Sequence, residues 1–120
     1  MSQEQPTTRG IAILGSTGSI GTQALEVIQQ QPDRLHVEVL SAYRNADLLI
    51  QQALAFKPNT VVIGDLALLE KVKDALFDEG IKVYAGADAL EQVVEMEGID
   101  MVLTALVGAA GLRPTLKAIR

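Results

Sequence analysis

The chain has 120 residues, of which 48% are hydrophobic and 3% aromatic, with no cysteine and a formal net charge of −5. This length fits a single domain whose core is built from Leu, Ile, Val and Ala, as in a parallel sheet covered by helices. The composition excludes disulfides, thiolate metal sites and a cysteine nucleophile, and the acidic balance without a basic stripe argues against a nucleic-acid partner.

The polar start of the sequence and its apolar stretches suggest the domain limits and the compartment. Residues 1–8 are polar and include Pro6, which predicts a short disordered tail before a domain over residues 9–120. The tail lacks the apolar core of a signal peptide. The longest nearly apolar stretch, residues 101–112, is shorter than the roughly 20 residues of a membrane-spanning helix, so we expect a cytoplasmic protein with no membrane partner.

Strand and helix patterns alternate along the domain. The predicted strands cover residues 10–14, 36–42, 60–63, 81–85 and 100–103, the last continuing to 106. The predicted helices cover residues 19–31, Asn45 to about Phe56, 66–78, a short segment between Asp88 and Gly98, and a fifth helix from near Leu112 to Arg120. The expected helix signals are N-caps at Asn45 and Asp65 and a terminating glycine at Gly80. This alternation predicts right-handed βαβ units and therefore an α/β fold with a doubly wound parallel sheet.

The first predicted strand and helix are joined by Gly15-Ser16-Thr17-Gly18-Ser19-Ile20-Gly21. We expect Gly15 to form the sharp turn, Gly18 to leave room for a pyrophosphate, and Gly21 to let the helix pack closely on the strand. Thr17 and Ser19 add hydroxyl donors, and the free N–H groups of the first helical turn point at the phosphates. The pattern predicts a Rossmann-type NAD(P)-binding domain; the alternative is a glycine turn that serves packing alone.

The end of the second predicted strand indicates which dinucleotide is preferred. An NAD site usually has an acid there, about 20 residues after the glycines, but residues 40–45 are Leu-Ser-Ala-Tyr-Arg-Asn. Arg44 offers a bidentate cation for a 2′-phosphate, Tyr43 a ring to lie against adenine, and Asn45 a polar group for ribose or phosphate. These residues favour NADPH over NADH. In the alternative interpretation Arg44 is a solvated surface cation and Asn45 only a helix cap, while Asp47 serves the helix dipole.

A third candidate region, residues 104–114, follows the fifth predicted strand at the carboxyl edge, where ligands bind in such sheets. Its small residues, with Ala105 among the first, allow the backbone to approach a ligand closely. The alternative is a tight strand-to-helix connection with Pro114 near the first helical turn, and the two explanations are nearly balanced.

The other chemistry-bearing residues give no catalytic candidate. His36 has no Ser or Asp partner at a meaningful spacing and is expected to be a solvated residue at a strand start. Glu95, Glu97 and Asp100 are expected surface charges on the edge opposite the ligand side. The sequence contains no His, Asp or Glu cluster with metal-ligand spacing and no base placed beside a nucleophile.

Two blocks of the sequence together resemble the 1-deoxy-D-xylulose 5-phosphate reductoisomerase family. Residues 15–21 are similar to its glycine-rich signature, and residues 105–115, Ala-Leu-Val-Gly-Ala-Ala-Gly-Leu-Arg-Pro-Thr, to its next conserved block at the expected distance. Residues 42–45 resemble its cofactor-specificity loop, in which many members have Gly-Lys-Asn. Arg44 keeps the charge of that loop, whereas Tyr43 replaces a glycine. The resemblance extends over nearly the whole chain.

The resemblance implies an enzyme of non-mevalonate isoprenoid biosynthesis that rearranges 1-deoxy-D-xylulose 5-phosphate and reduces the intermediate aldehyde with NADPH, giving 2-C-methyl-D-erythritol 4-phosphate. It implies Mg²⁺ or Mn²⁺, a homodimer, a 2′-phosphate site at residues 43–45, and pyrophosphate contacts from Thr17, Gly18, Ser19 and Ile20. The family's metal ligands, substrate-phosphate site and lid lie beyond the position equivalent to Arg120, so we expect no catalytic or metal-binding residue in this chain and no activity from it alone. Two alternatives stay open: another NADP-dependent enzyme, such as a semialdehyde dehydrogenase, and a stand-alone nucleotide-sensing module.

Overall fold

The computed structural model describes residues 8–93, 95 and 98–104, together with the backbone of residues 115–118. Its strands are β1 (Arg9–Leu14), β2 (Leu35–Ala42), β3 (Thr60–Ile63), β4 (Lys82–Ala85), β5 (Met101–Thr104) and β6 (Thr115–Ala118). Its helices are α1 (Ser19–Gln29), α2 (Ala46–Phe56), α3 (Leu69–Ala75) and α4 (Ala87–Val93). Short 3₁₀ turns at Leu66–Leu68 and Phe77–Glu79 flank α3, so the predicted third helix is α-helical only in its middle.

The six strands form one sheet in the order β4-β3-β2-β1-β5-β6, and β1 to β5 are parallel. The chain moves outward from β1 to β4 and then crosses back to β5, on the other side of β1. Because right-handed crossovers in opposite directions cover opposite faces of a sheet, α1, α2 and α3 pack on one face and α4 on the other. The predicted doubly wound α/β fold is therefore confirmed, with its change of direction between β1 and β5.

The hydrophobic core lies on both faces of the sheet because alternate strand residues point to opposite sides. Ile11 and Ile13 of β1 belong to the cluster beneath α1 to α3, whereas Ala12 and Leu14 belong to the cluster on the α4 side. The first cluster is completed by buried helix residues at helical spacing: Leu25, Ile28, Leu49, Ala53, Val72 and Leu76. Aliphatic packing thus holds β1, and the turn that follows it, at the centre of the domain.

The predicted helix signals are present in the structure. Asn45 caps α2, where its Oδ1 accepts a hydrogen bond from the Leu48 N–H at 3.2 Å. Asp65 caps the first 3₁₀ turn, where its Oδ1 accepts from the Ala67 N–H at 3.0 Å. Gly80 has a φ of +73°, the left-handed conformation that a glycine after a helix end adopts readily.

The C-terminal side of the sheet differs from the prediction. The predicted fifth helix is the strand β6, which pairs antiparallel with β5 from Met101 opposite Ala118 to Thr104 opposite Thr115. The outer edge of β5 presents N–H and C=O groups that an added strand pairs and a helix does not. The predicted continuation of β5 to residue 106, the start of the predicted fifth helix and residues 1–7 of the predicted tail lie outside the described residues.

Candidate functional site

The turn between β1 and α1 is tight at both of its ends. Gly15 ends β1 with a φ of +86°, a left-handed conformation that strains residues with a side chain. A Cβ atom at Gly21 would overlap the Gly15 carbonyl oxygen and lie 2.6 Å from Ser16 Cα. Both glycines are therefore required by the local geometry, Gly15 for the turn and Gly21 for the close approach of α1 to the strand end.

Gly18 differs from these two glycines because nothing in the described part of the fold requires it. Its φ of −81° and ψ of 175° are open to any residue, and among the described residues a Cβ atom there would meet only the Gly15 carbonyl oxygen, at an ordinary 3.7 Å. The missing side chain leaves open space in front of the N-terminus of α1. Space of this kind is what a ligand that approaches the backbone needs.

The N-terminus of α1 is suited to an anion. Gly18 is its N-cap, no side chain in the described part of the chain caps it by a hydrogen bond, and its first turn holds no acid. The first N–H groups of a helix lack intrahelical acceptors and carry partial positive charge. Thr17 is half-buried and Ser19 exposed, so the two hydroxyl-bearing residues flank this end. The arrangement presents backbone N–H donors beside open space, which favours a phosphate group.

A buried polar cluster that the sequence analysis did not identify anchors the turn. Ser16, Ser41 and Gln52 are 0%, 2% and 7% exposed. The Gly15 and Ser16 N–H groups donate to the Ser41 carbonyl oxygen at 3.0 and 2.8 Å. Gln52 Nε2 donates to the Ser16 carbonyl oxygen at 2.9 Å, and Ser16 Oγ donates to Gln52 Oε1 at 2.7 Å. These bonds tie the turn to β2 and α2. The sequence signal for this cluster was Gln52 itself, a polar residue between Leu49 and Ala53 on the buried face of α2.

The predicted specificity residues lie where β2 ends. The ladder between β2 and β3 continues past both strands, because the Gly64 N–H donates to the Ala42 carbonyl oxygen and the Asp65 N–H to that of Tyr43, each at 2.8 Å. The Tyr43 side chain packs on Gly64, where a Cβ atom would overlap the ring, and Tyr43 stays 68% exposed. The ring thus has backbone beside it at Gly64, while much of the side chain is open to a ligand.

Arg44 has an acidic neighbour that the sequence analysis missed. Its Nε lies 3.7 Å from Asp65 Oδ2, and its side chain is 74% exposed. At this distance and exposure the pair is weak, since solvent screens it. The Arg44 guanidinium therefore remains accessible to an anion. Asn45 is also exposed, with its Oδ1 engaged in the α2 cap.

The two halves of the site lie at one edge of the sheet. Since the turn bonds directly to Ser41, it lies beside the end of β2, two residues before Tyr43. Thr104, at the end of β5, pairs with Leu14 at the same edge. Ala105, the remaining predicted site residue, lies outside the described residues. The described candidates are therefore gathered at the carboxyl edge around the change of direction in the sheet, where such folds bind ligands.

The amino ends of the strands, opposite the candidate site, carry polar side chains that were expected to be solvated. His36 has partners after all: its Nε2 lies 2.6 Å from Glu38 Oε2, and its Nδ1 contacts Thr8 Oγ1. Asp100 Oδ2 accepts from the Gly10 N–H at 2.8 Å, so this residue ties β1 to the start of β5. Glu95 is exposed, and Glu97 lies outside the described residues.

The part of the chain that the structure describes has neither a cluster of metal ligands nor a membrane-spanning helix. It contains no group of three or more His, Cys, Asp or Glu side chains arranged to hold a metal ion. None of its helices has the length and apolar character needed to cross a membrane.

Comparison with known protein families gives a match along nearly the whole chain. A sequence model described as 1-deoxy-D-xylulose 5-phosphate reductoisomerase matches residues 11–120. The protein of that name from Phocaeicola vulgatus is 56% identical over 110 residues, which cover 92% of this chain and 29% of the relative. The one from Bacteroides thetaiotaomicron is 53% identical over 119 residues, covering 99% of this chain and 30% of the relative. The chain thus spans less than a third of the length of these relatives.

Solved structures show the same likeness. The 1-deoxy-D-xylulose 5-phosphate reductoisomerase from Zymomonas mobilis in complex with NADPH superposes with a TM-score of 0.79 at 37% identity, covering 88% of this chain and 28% of that one. A DOX-P reductoisomerase in complex with NADPH, fosmidomycin and magnesium gives a TM-score of 0.79 at 31% identity, covering 87% of this chain and 26% of that one.

Proposed function

The chain belongs to the 1-deoxy-D-xylulose 5-phosphate reductoisomerase family, and on this basis we propose that it is the NADPH-binding part of an enzyme that converts 1-deoxy-D-xylulose 5-phosphate to 2-C-methyl-D-erythritol 4-phosphate in isoprenoid biosynthesis. Residues 9–120 form its cofactor domain. The family assignment argues against a truncated semialdehyde dehydrogenase, and no observation favours a separate sensing module.

The observation that carries the proposal is the open space at Gly18. Gly15 and Gly21 are explained by the fold, but neither the backbone conformation at Gly18 nor its packing against the described residues calls for a glycine. A position that is free of both constraints and still lacks a side chain, in front of an uncapped helix N-terminus, matches the need of a pyrophosphate for close contact with backbone N–H groups. The donors that we assign to it come from Thr17, Ser19 and Ile20.

The adenosine end of the cofactor is assigned to the end of β2. Arg44 supplies the cation for the 2′-phosphate, Tyr43 the ring that lies against adenine, and Asn45 a polar contact to the ribose or phosphate. Asp65 lies beside Arg44 and reduces the local positive charge, so we expect a moderate preference for NADPH over NADH. Ala105 is assigned to the nicotinamide side because it follows Thr104 in the sequence, and Thr104 pairs with Leu14 just before the turn.

The chain's own residues bind and orient the cofactor. When bound, NADPH supplies the hydride for reduction of the aldehyde, and the pyrophosphate contacts fix where its nicotinamide lies. The described residues offer no fitting metal site, so we assign the Mg²⁺ or Mn²⁺ of the reaction, and the sugar-phosphate site, to a part of the enzyme outside this chain. We further propose a homodimer in the cytoplasm.

The proposal is tested by measuring the affinity of the 120-residue chain for NADPH and NADH from the change in cofactor fluorescence. We expect Arg44→Ala to weaken NADPH binding about tenfold, the low end for a charged hydrogen bond at an exposed site, and to leave NADH binding unchanged. Arg34→Ala is the matched control, since Arg34 is an exposed arginine before β2, at the opposite edge of the sheet. Equal losses for both cofactors would contradict the 2′-phosphate assignment, and failure of the wild-type chain to bind NADPH would contradict the proposed function.

A further inference from the structure

Gln52 is a polar residue in an apolar place. It lies on α2 next to Ala53 and one turn after Leu49, both fully buried, and is itself 7% exposed. A buried amide is unfavourable unless its polar atoms find partners, and an apolar side chain of similar size would be the simpler way to fill this space. The presence of glutamine here therefore calls for an explanation beyond packing.

Both described hydrogen bonds of Gln52 go to one residue of the glycine turn. Nε2 donates to the Ser16 carbonyl oxygen at 2.9 Å, and Oε1 accepts from Ser16 Oγ at 2.7 Å. The Ser16 N–H is held separately by the Ser41 carbonyl oxygen at 2.8 Å. The peptide groups on both sides of Ser16 are consequently fixed, one by β2 and the other by α2.

The bond to the Ser16 carbonyl determines the direction of the next amide. The carbonyl of Ser16 and the N–H of Thr17 belong to the same planar trans peptide group, in which C=O and N–H point in opposite directions. Because Gln52 holds the carbonyl toward α2, the Thr17 N–H points away from α2. In a glycine-containing turn, rotation of this peptide group is the simplest way in which the donor would be lost.

We propose that Gln52 is a positioning residue for the cofactor: through the Ser16 carbonyl it aims the Thr17 N–H at the pyrophosphate. The inference rests on the proposed function, because it needs a pyrophosphate at the turn. Gln52 should contribute equally to the affinity for NADPH and for NADH, since both cofactors carry the pyrophosphate. Arg44, in contrast, should contribute to NADPH binding alone.

The test compares Gln52→Met, which keeps the length of the side chain and removes both hydrogen bonds, with Gln51→Met at the exposed neighbouring position. We expect Gln52→Met to weaken NADPH and NADH binding equally, by about tenfold, the loss of one charge-assisted hydrogen bond. Gln51→Met is expected to change neither. Ser16→Ala removes the Oγ contacts to Gln52 Oε1 and to the Ser41 carbonyl oxygen but keeps the bond from Gln52 Nε2 to the Ser16 carbonyl, so we expect a much smaller loss of affinity than for Gln52→Met. All affinities are measured below the unfolding transition of each variant.

A second variant, Gln52→Glu, keeps the proposal falsifiable if Gln52→Met does not fold. When protonated, the carboxyl group of this variant donates to the Ser16 carbonyl as the amide does, whereas the carboxylate has only acceptors to offer. Relative to wild type at the same pH, Gln52→Glu is therefore expected to bind NADPH weakly at about pH 8 and to recover as the pH falls toward about 5.

The outcomes separate the two proposals. If wild type binds NADPH but folded Gln52→Met binds both cofactors as wild type does, or if Ser16→Ala loses as much affinity as Gln52→Met, the positioning role is wrong and the proposed function stands. A Gln52→Glu affinity that follows wild type at every pH also overturns the positioning role. If wild type binds neither cofactor, the result contradicts the proposed function, and the positioning role of Gln52 falls with it.

Discussion

Replacement of Gly18 by alanine adds one methyl group in front of α1 and separates ligand binding from folding. The backbone at this position suits any residue, and the new Cβ would lie 3.7 Å from the Gly15 carbonyl oxygen, an ordinary contact. Alanine is a poorer N-cap than glycine by roughly 0.5 kcal/mol. It also restricts the unfolded chain, which stabilises the fold by about 0.4–1 kcal/mol. The two effects nearly cancel, so the free energy of unfolding should change by less than about 0.5 kcal/mol.

Cofactor binding should respond very differently to the same methyl group. Phosphate oxygens that accept from backbone N–H groups approach to about 2.9 Å, and a Cβ at Gly18 occupies part of the space that they need. Loss of one charge-assisted hydrogen bond costs about 1.5–3 kcal/mol, which corresponds to roughly 10- to 100-fold in the dissociation constant. We expect this loss for NADPH and NADH alike.

The assay pairs urea unfolding with cofactor titration for wild type and Gly18→Ala. Unchanged unfolding with weakened binding is the expected result. A folded Gly18→Ala that binds NADPH as tightly as wild type would refute the view that this space belongs to the ligand. A variant with a much lower urea midpoint would instead show that Gly18 serves packing.

Substitutions at three further positions test the geometry around the site, and one assay tests for activity. Gly21→Ala should destabilise the fold by about 1–3 kcal/mol in urea unfolding, since its Cβ overlaps backbone of the turn; a neutral effect would contradict the close packing. Gly64→Ala should be destabilising with Tyr43 present and clearly less so in a Tyr43→Gly background, because the overlap is with the ring, whereas the Tyr43 Cα at 3.2 Å remains; additive losses would rule the ring contact out. Asn45→Ala should lower the free energy of unfolding by about 1 kcal/mol and Asn45→Asp should change it little, as expected for an N-cap. Finally, the chain with 1-deoxy-D-xylulose 5-phosphate, NADPH and Mg²⁺ should show no NADPH oxidation, followed by the loss of the cofactor's near-ultraviolet absorbance, and steady turnover would place catalytic residues within it.

Local signals in the sequence were sufficient for most of the fold. The β-branched run over β3 gave the strand bounds, and Asn45, Asp65 and Gly80 marked helix ends because each acts on backbone groups within a few residues of itself. The strand β6 could not be predicted in this way. Its hydrogen bonds go to β5, so its conformation depends on a free sheet edge that no local pattern reveals.

In the candidate site, too, some features could be predicted from local sequence and others depend on contacts between distant residues. The glycine turn and Arg44 are recognisable because their chemistry is carried by residue type and spacing. The contact between Asp65 and Arg44 could not be predicted, because the two residues are 21 positions apart in the sequence and meet only when the ends of β2 and β3 are paired. The contact between His36 and Glu38 is different, because the two residues lie two positions apart on one predicted strand and alternate side chains of a strand share a face, so the sequence did carry its signal.

Internal hydrogen bonding of the turn determines which amides remain for a ligand. The N–H groups of Gly15 and Ser16 are used by Ser41, and that of Gly18 donates to the Gly15 carbonyl oxygen at 3.2 Å. Within the described residues, no such acceptor is found for the N–H groups of Thr17, Ser19 and Ile20. Gly18 therefore contributes space to the proposed pyrophosphate site rather than a donor. The hydrogen bonds that fix the turn therefore use the N–H groups of Gly15, Ser16 and Gly18. Within the described residues they leave those of Thr17, Ser19 and Ile20 for the proposed pyrophosphate.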